Sequence, residues 1–392
     1  MSLDLPQLLS QVNELSVYSA RKAEAAAAAL PAARAALTAA SRMEAADLER
    51  RIRAAGPHWR GARPTDEPLD QVFPLPAHPD RLHVIGADGS QIYPDRHGAA
   101  FFFLVNIGSL HLEHGSGQTP IAATRPRLFF AEEDLHEASG ALVDTGLVNA
   151  RRDLAEMEEL ARLVHTCERG PCLALLDNGL LLWLASQEHH GPRPEVRRIL
   201  EEYLSRMDDL RKHGAALAGL ISRPRSVNLL ALLHVAAMEE SSVTPETAQR
   251  LPFAGLTDQR LMADHLPIGA RSARTILTSP LNREFAARGH EVQAFYLNTG
   301  GDIARVEVPA WVGEDPQAMA RVHAGLVEQC RVTGVPYVLV RAHELAVVRQ
   351  PDRQALDDLL AASLAHHGLL PMTSQKARTK KWTASRRRHV VG

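Results

Sequence analysis

The sequence predicts an α/β protein with a mixed β-sheet flanked by helices and a helical N-terminal arm. At residue 82 the apolar spacing changes from helical intervals to short runs rich in β-forming residues. The stretch Cys172–Leu176 is apolar throughout, as expected of a strand that is covered on both faces. From residue 196 onwards helical and strand patterns alternate, which is typical of α/β folds.

The first 55 residues are predicted to be helical. Leu37, Leu48 and Ile52 recur at helical intervals after a run of alanines. Pro31 is expected to kink or split this arm, because proline has no amide proton and its ring clashes with the preceding turn. Six prolines between residues 56 and 80 then predict an extended linker.

The remaining chain is predicted to form one main domain and a tail. We predict a helical arm with its linker over 1–80, an α/β domain over 81–350, and a C-terminal helix with a basic tail over 351–392. Within the α/β domain, the predicted elements are a first strand over 82–87, a meander over 99–105, 107–112 and 127–130, helices over 148–164, 196–213, 227–238, 318–332 and 343–348, strands over 172–176, 217–221 and 337–341, and a hairpin of 293–298 with 303–308.

Length and composition exclude several classes of protein. At about 150 residues per domain, 392 residues are enough for two to three domains with a sizeable core. A core of that size excludes a disulfide-stapled miniprotein. The three cysteines, an odd number without CxxC spacing, favour a reduced, cytoplasmic compartment and argue against a structural zinc site on thiolates. No apolar run approaches the roughly 18 residues of a membrane span.

The charge is uneven along the chain. Its 44 Lys and Arg residues nearly balance 46 Asp and Glu residues. No acidic residue follows Asp358, however, whereas seven cations surround Trp382 near the C-terminus. Such a tail suits nonspecific binding to nucleic-acid phosphates, with Trp382 stacking on an unpaired base. We therefore predict DNA contacts at Lys380 and Lys381; a solubilising end is the alternative.

Acidic residues follow two of the predicted strands. Asp88 closes the first strand, Asp177 closes the strand 172–176, and Glu156 borders the apolar face of the helix between them. The carboxyl ends of neighbouring strands meet in the crevice where α/β sheets bind ligands. Carboxylates gathered there repel one another unless a divalent cation such as Mg²⁺ or Mn²⁺ is bound, and such a cation activates water for phosphodiester hydrolysis. The alternative is that both aspartates begin ordinary turns and Glu156 is a solvated charge.

The order of strand acid, meander, helix acid and strand acid resembles the ribonuclease-H-like arrangement. More specifically, the chain resembles the NurA nuclease family over roughly residues 80 to 350. The residues that carry this resemblance are Gly86-Ala87-Asp88-Gly89-Ser90-Gln91, Arg152 with Glu156, Leu175-Leu176-Asp177-Asn178-Gly179-Leu180-Leu181-Leu182-Trp183, the block from Gly219 to Arg225, Phe295-Tyr296-Leu297 with the block from Ile303 to Pro309, and the block from Pro336 to Ala346.

The resemblance implies a manganese-dependent nuclease that degrades DNA, as a 5′-to-3′ exonuclease and endonuclease. It implies a role in end resection for double-strand break repair. It further implies a homodimer that works with a HerA-type hexameric ATPase, which translocates DNA. The cofactor would be Mn²⁺ or Mg²⁺.

The resemblance also assigns roles by matching position. Asp88 and Asp177 would be metal ligands, and Glu156 would complete the acidic set, with Glu158 or Glu159 as the alternative match. His343 would be the late histidine that contacts the metal or the scissile phosphate. It is predicted to follow the strand 337–341 and to open a helix, so that its ring faces the same crevice as the aspartates.

The sequence departs from the family pattern at two places. Asn178 and Gly179 follow Asp177, where the family usually has Gly and Ser. Val335 stands where an aromatic residue is often found, and Tyr337 is the candidate to replace it.

Two further groups of residues have side chains that can bind a phosphate or a metal ion. Arg223 and Arg225 lie between a strand and a helix start, where backbone amides favour a phosphate; a solvated turn is the alternative. The run His111-Leu112-Glu113-His114 offers too few ligands for zinc.

Two other functions stay open at this point. One is a non-catalytic subunit that clamps DNA for a translocase. The departure from the family motif at Asn178 leaves this alternative open. The other is a hydrolase of small phosphoesters, which would not need the basic tail.

Overall fold

The computed structural model describes residues 4–96, 98, 100–167, 170–182, 184–185 and 193–369. The chain divides into two compact units, and each unit is built from three segments. The first unit comprises 1–82, 169–181 and 214–337, and the second unit comprises 83–168, 182–213 and 338–392. Lys380, Lys381 and Trp382 of the basic tail lie outside the described residues. In the described part of the chain, no helix is long and apolar enough to cross a membrane.

Helices and strands alternate along most of the chain. The strands are β1 (Ala62–Pro64), β2 (Val72–Phe73), β3 (Leu82–Ile92), β4 (Phe103–His114), β5 (Ile121–Phe129), β6 (Cys172–Leu176), β7 (Ala216–Ile221), β8 (Arg271–Ser272), β9 (Thr275–Leu277), β10 (Val292–Asn298) and β11 (Ile303–Pro309). The helices are α1 (Leu9–Ala40), α2 (Ala45–Ala54), α3 (Glu132–Leu135), α4 (Thr145–Leu163), α5 (Pro194–Lys212), α6 (Asn228–Ala237), α7 (Asp258–Ala263), α8 (Pro280–Ala287), α9 (Ala310–Gly313), α10 (Pro316–Cys330), α11 (Tyr337–Ala346) and α12 (Gln350–His366).

The N-terminal helices belong to the core of the first unit. α1 packs against α6 and α7 and buries Leu30, Ala33 and Leu37. α1 runs through Pro31 without interruption, so the expected split at this residue is wrong. Pro31 itself is exposed. The buried side chains on both sides of it hold the helix against its neighbours, although the proline removes one backbone hydrogen bond.

The proline-rich stretch is largely extended, as expected, and it also contributes to the sheet of the first unit. β1 pairs antiparallel with β9, and β2 pairs antiparallel with β8. Trp59 and Leu69 are buried in the same apolar core as the N-terminal helices. This stretch therefore packs as part of a folded unit.

The sheet of the first unit is mixed, as predicted. Its strand order is β1-β9-β10-β11-β7-β6. β10 and β11 form the predicted antiparallel hairpin, β11 is antiparallel to β7, and β6 is parallel to β7. β6 is buried over its whole length, which explains its unbroken apolar sequence. α10 packs against β6 and β7, so the predicted α/β class with helices on a mixed sheet is confirmed.

The second unit is built on the strand order β3-β4-β5. β4 and β5 are antiparallel, and the rings of Phe103 and Phe129 stack with centroids 4.4 Å apart. The two strands predicted over 99–105 and 107–112 are one strand, because Gly108 continues the ladder instead of ending it. α4 begins after Asp144, whose carboxylate accepts a hydrogen bond from Leu147 N, and it packs against β4 and α5.

The strand predicted over 337–341 is wrong, because these residues form the first half of α11. Val338, Ala342 and Ala346 are buried at intervals of four residues, which places them on one face of a helix. A five-residue apolar run does not distinguish a buried strand from a helix, and the period becomes visible only with the residues that follow. His343 therefore lies in the last turn of this helix rather than at the start of one.

Candidate metal centre

Two strands of the second unit present one face to α11 and the other to α4. Side chains alternate along a strand, so even-numbered residues of β3 and β4 share one face. A Cβ on Gly108 would lie 2.2 Å from the carbonyl oxygen of Ala342, and a Cβ on Gly86 would lie 3.0 Å from the side chain of Val338. Because Gly86 and Gly108 have no side chains, α11 can lie directly against the backbone of β3 and β4. Ser90 Oγ adds a hydrogen bond of 2.5 Å to the carbonyl oxygen of Ala346.

This close packing brings Asp88 and His343 together. Asp88 shares the even-numbered face, and its Oδ2 lies 2.7 Å from Nδ1 of His343. An ionised carboxylate only accepts hydrogen bonds, so the Nδ1–H group of His343 donates. In the neutral ring the lone pair then lies on Nε2. The His343 side chain is 62% exposed and that of Asp88 is 14% exposed, so this pair is open to solvent.

Glu156 approaches the same strand from α4. A Cβ on Gly89 would lie 2.8 Å from Oε1 of Glu156 and 2.6 Å from Cγ of Arg152. Gly89, which follows Asp88 in the chain, has no side chain and therefore leaves room for the side chains of Glu156 and Arg152. Glu156 is buried, and its Oε1 lies 3.3 Å from Nε of Arg152.

Arg152 carries a positive charge among these carboxylates. Burial disfavours this charge, but the carboxylates of Asp153, Glu156 and Asp88 outweigh burial and raise the pKa of Arg152 above its ordinary value. Arg152 also donates to Oδ1 of Asp153 at 2.7 Å and to Oε1 of Gln91 at 3.3 Å. The guanidinium group thus partly neutralises the acidic residues around β3.

The other two glutamates of α4 have different surroundings. Glu159 is buried, accepts a hydrogen bond of 2.6 Å from Ser109 Oγ, and pairs with Arg162. Burial raises the pKa of the Glu159 carboxyl, but hydrogen bonds from Arg162 and Ser109 outweigh burial and lower it. Glu158 lines a cavity with Glu202, and burial and the Glu202 charge raise its pKa. Of the three glutamates, Glu156 is the one whose carboxylate lies beside Gly89.

Asp177 belongs to the first unit, where it follows β6. The loop after it is held by β11 of the same unit. Leu180 N donates a hydrogen bond of 2.8 Å to Oε2 of Glu307, and a Cβ on Gly179 would lie 2.8 Å from that oxygen. Arg305 pairs with the other oxygen of Glu307 at 2.5 Å. The glycine that follows Asn178 is therefore needed for the close approach of a buried carboxylate.

Glu307 and Arg305 were not singled out from the sequence as positioning residues. Both are buried on β11, where every residue is buried. The sequence does show two opposite charges, at positions 305 and 307, within an otherwise apolar strand. Charged residues are almost never fully buried unless they are paired, so an acid and a base on the same face of a buried strand predict an internal ion pair.

The structure removes one argument for phosphate binding at Arg223 and Arg225. Both side chains are exposed, and Arg223 Nε lies 3.6 Å from Oδ2 of Asp302. The first amides of the following helix, those of Leu229 and Leu230, already donate to the buried carboxylate of Asp258. DNA binding by the two arginines therefore stays a prediction based on their charge.

Tyr337, the candidate for the missing aromatic contact, is the first residue of α11 and is 43% exposed. Its proposed role stays a prediction.

The residues around Asp88 fit a hard divalent cation. Carboxylate oxygens and an imidazole nitrogen are ligands that Mn²⁺ and Mg²⁺ take in proteins, with carboxylates preferred. Asp88 offers Oδ atoms within reach of solvent on the α11 face of β3, and Glu156 adds a carboxylate on the α4 face of the same strand, beside Gly89.

These features define a mixed α/β protein with acidic residues beside its strands. Asp88 lies inside β3 and not at a strand end as predicted, because β3 continues to Ile92, whereas Asp177 does follow β6. The model of the NurA domain matches residues 82–348. The chain therefore belongs to the NurA family, which confirms the resemblance found in the sequence.

Solved structures give more distant similarity. The NurA nuclease from Sulfolobus solfataricus is 13% identical over 76% of this chain and 87% of that chain, with a TM-score of 0.49. A NurA structure bound to dAMP and manganese is 10% identical over 74% of this chain and 90% of that chain, with a TM-score of 0.41. The catalytic domain of human endonuclease V is 16% identical over 71% of this chain and 84% of that chain, with a TM-score of 0.31. No curated protein sequence matches the chain significantly.

Proposed function

We propose that this protein is a metal-dependent nuclease that hydrolyses phosphodiester bonds in DNA. The observation that carries the proposal is the pair of Asp88 and His343, 2.7 Å apart and open to solvent, within the part of the chain that matches the NurA domain. Manganese is the proposed cofactor, with magnesium as the alternative. A NurA relative whose structure contains dAMP and manganese supports this choice of cofactor.

Three carboxylates are proposed to hold the cation. Asp88 and Glu156 are placed by β3 and α4, and Asp177 is included on the strength of its motif. A divalent cation bound there would activate water and stabilise the charge that develops on the phosphate. Arg152 places a positive charge 3.3 Å from Oε1 of the buried Glu156.

His343 is proposed to contact the metal or the scissile phosphate. Its Nδ1–H group is held by Asp88, which fixes the orientation of the ring. In the neutral ring Nε2 then offers a lone pair, and in the protonated ring it donates a hydrogen bond to a phosphate oxygen.

Contacts with the rest of the DNA are proposed at cations of two segments of the chain. These are Arg223 and Arg225 after β7 and Lys380 and Lys381 in the tail, with Tyr337 as a further stacking residue. Neutralised phosphates release counterions, so the affinity for DNA should fall steeply as salt rises.

The cellular role is proposed from family membership. We propose a cytoplasmic homodimer that resects DNA ends in double-strand break repair, with 5′-to-3′ exonuclease and endonuclease activity. The proposed partner is a HerA-type hexameric ATPase that feeds DNA to the nuclease.

The decisive experiment compares the wild type with Asp88→Asn on labelled DNA in the presence of Mn²⁺. The variant should lose cleavage and keep its fold and its affinity for DNA. Asp209→Asn is the matched control, since Asp209 forms a surface ion pair with Arg206 in the same unit. Full cleavage by Asp88→Asn would contradict the proposed site. A wild type that binds DNA without cutting it would favour a clamping subunit instead.

A further inference from the structure

Three side chains with nitrogen and sulfur donors meet in the second unit. They are His83 on β3, His111 on β4 and Cys167, which follows the short 3₁₀ turn after α4. One ligand atom of each lies within 4.8 Å of the other two. The two histidines are odd-numbered and thus lie on the face of the strands that packs against α4, opposite the face of Asp88.

The hydrogen bonds around His111 fix its tautomer. Thr166 Oγ1 donates its single proton to the carbonyl oxygen of Leu163 at 2.7 Å. Thr166 therefore accepts from Nδ1–H of His111, at 3.0 Å. Burial, followed by the neighbouring His83, lowers the pKa of His111 and favours the neutral ring. The lone pair of His111 then lies on Nε2, which is 3.0 Å from Nδ1 of His83.

We propose that His83, His111 and Cys167 form a binding site for a transition-metal ion of the zinc type. Imidazole nitrogen and thiolate sulfur are the ligands that zinc prefers, whereas magnesium and manganese prefer oxygen. A ligand histidine commonly donates its second ring N–H to a fixed acceptor, and Thr166 is that acceptor for His111. A tetrahedral ion held by these three side chains would take a water molecule as its fourth ligand.

Binding of the ion would change the protonation of His83 and Cys167. In the metal-free pair Nδ1–H of His83 donates to Nε2 of His111. When the ion binds, that proton leaves Nδ1 and the His83 ring carries its proton on Nε2 instead. The thiol of Cys167 loses its proton to solvent and binds as the thiolate.

Such an ion would act on the scaffold of the second unit. It would join β3, β4 and the end of α4, and two of these elements carry Asp88 and Glu156. The site does not depend on the proposed nuclease activity, because its three ligands are residues other than Asp88, Glu156 and Asp177. Its ligands lie on three distant segments of the chain, so no local sequence motif indicates the site.

Cobalt(II) is a suitable probe, because thiolate-bound Co²⁺ has a charge-transfer absorption band in the near ultraviolet. The full-length chain, freed of metal with a chelator, is titrated with Co²⁺ alone. One equivalent of Co²⁺ should produce the thiolate band, and Zn²⁺ should remove it. Cys167→Ser should lose the band, whereas Cys172→Ser and Cys330→Ser should retain it.

Two further variants separate this site from the acidic one and from misfolding. Asp88→Asn should keep the cobalt band while it loses cleavage of DNA. Thr166→Val should keep the band and weaken Co²⁺ binding by roughly 10- to 100-fold, as expected for loss of a hydrogen bond behind a ligand. A wild type without the band, or a band that survives in folded Cys167→Ser, overturns the proposal. If Cys167→Ser does not fold by circular dichroism, undiminished Co²⁺ binding by His111→Gln overturns it instead.

Discussion

The backbone amide of Leu180 donates a hydrogen bond of 2.8 Å to the buried carboxylate of Glu307. This contact joins the loop after Asp177 to β11, a strand more than a hundred residues later in the chain. The carboxylate is itself held by Arg305, also buried. The position of the loop that follows Asp177 therefore depends on an ion pair inside the sheet of the first unit.

Gly179→Ala should disturb this loop. The new Cβ would lie 2.8 Å from Oε2 of Glu307, so either the loop or the carboxylate must move. We expect DNA cleavage to fall about 100-fold, because a displacement near 1 Å is enough for such a loss. Single-turnover cleavage with Mn²⁺ is the measurement.

Gly214→Ala is the control for that variant. Gly214 has a φ of +68° but open space around its Cβ position, so alanine there strains only the backbone. It should lower stability by roughly 1–2 kcal/mol and leave cleavage per folded molecule unchanged. Equal activity of Gly179→Ala and wild type would show that the loop tolerates the displacement.

Much of the scaffold could be predicted from local patterns. The unbroken apolar run of β6 and the largely apolar sequences of β10 and β11 reflect burial of both faces of these strands, which the sequence displays directly. Asp88 and His343 were both predicted as site residues, and the structure brings them together.

What could not be predicted depends on distant partners. A five-residue run such as 337–341 fits a strand or a helix, and the choice is made by Gly86 and Gly108, which let α11 lie against the sheet. The role of Glu307 in holding the loop after Asp177 can be recognised only from its contacts with Leu180 and Arg305 in the folded chain. His83 and His111 can be recognised as candidate metal ligands only in the folded chain. There they lie together on neighbouring strands, and the end of α4 places Cys167 beside them.

Arg152→Gln tests the role of the internal cation. The substitution removes the positive charge that lies 3.3 Å from Oε1 of the buried Glu156. We expect the metal-free variant to lose roughly 3 kcal/mol of stability, the lower end for breaking a buried ion pair. Because Mn²⁺ would replace the missing positive charge, it should raise the melting temperature more in the variant than in the wild type. An equal shift in the two proteins would argue against a cation site beside Arg152.

His343→Asn separates catalysis from folding. The His343 side chain is 62% exposed, so the substitution should change stability by less than about 0.5 kcal/mol. Cleavage should fall at least about 100-fold, as for loss of a group that contacts the reacting phosphate or its metal. His213→Asn, at another exposed histidine of the second unit, is the control and should cleave normally. Wild-type kcat in His343→Asn would remove this residue from the proposed mechanism.

Glu67 should make the first unit sensitive to acid. Burial raises the pKa of this carboxyl, but hydrogen bonds from Arg271 and Arg274 outweigh burial and hold the pKa below its ordinary value of 4.5. A carboxyl with a lowered pKa in the folded state contributes stability that is fully present well above pH 4.5 and is lost as pH falls through the folded pKa.

Glu67→Gln should therefore be less stable than the wild type at neutral pH, by roughly 3 kcal/mol, because the buried Arg271 loses its carboxylate and the buried Arg274 keeps only the exposed carboxylate of Asp66. The difference between the two proteins should shrink below pH 4.5, where the wild-type glutamate also becomes neutral. Urea unfolding of both proteins from pH 7 to pH 3 measures this difference. Glu24→Gln, at an exposed glutamate of α1 in the same unit, should follow the wild type at every pH. A stability difference between Glu67→Gln and wild type that stays constant down to pH 3 would show that the charge of Glu67 does not hold the two arginines in place.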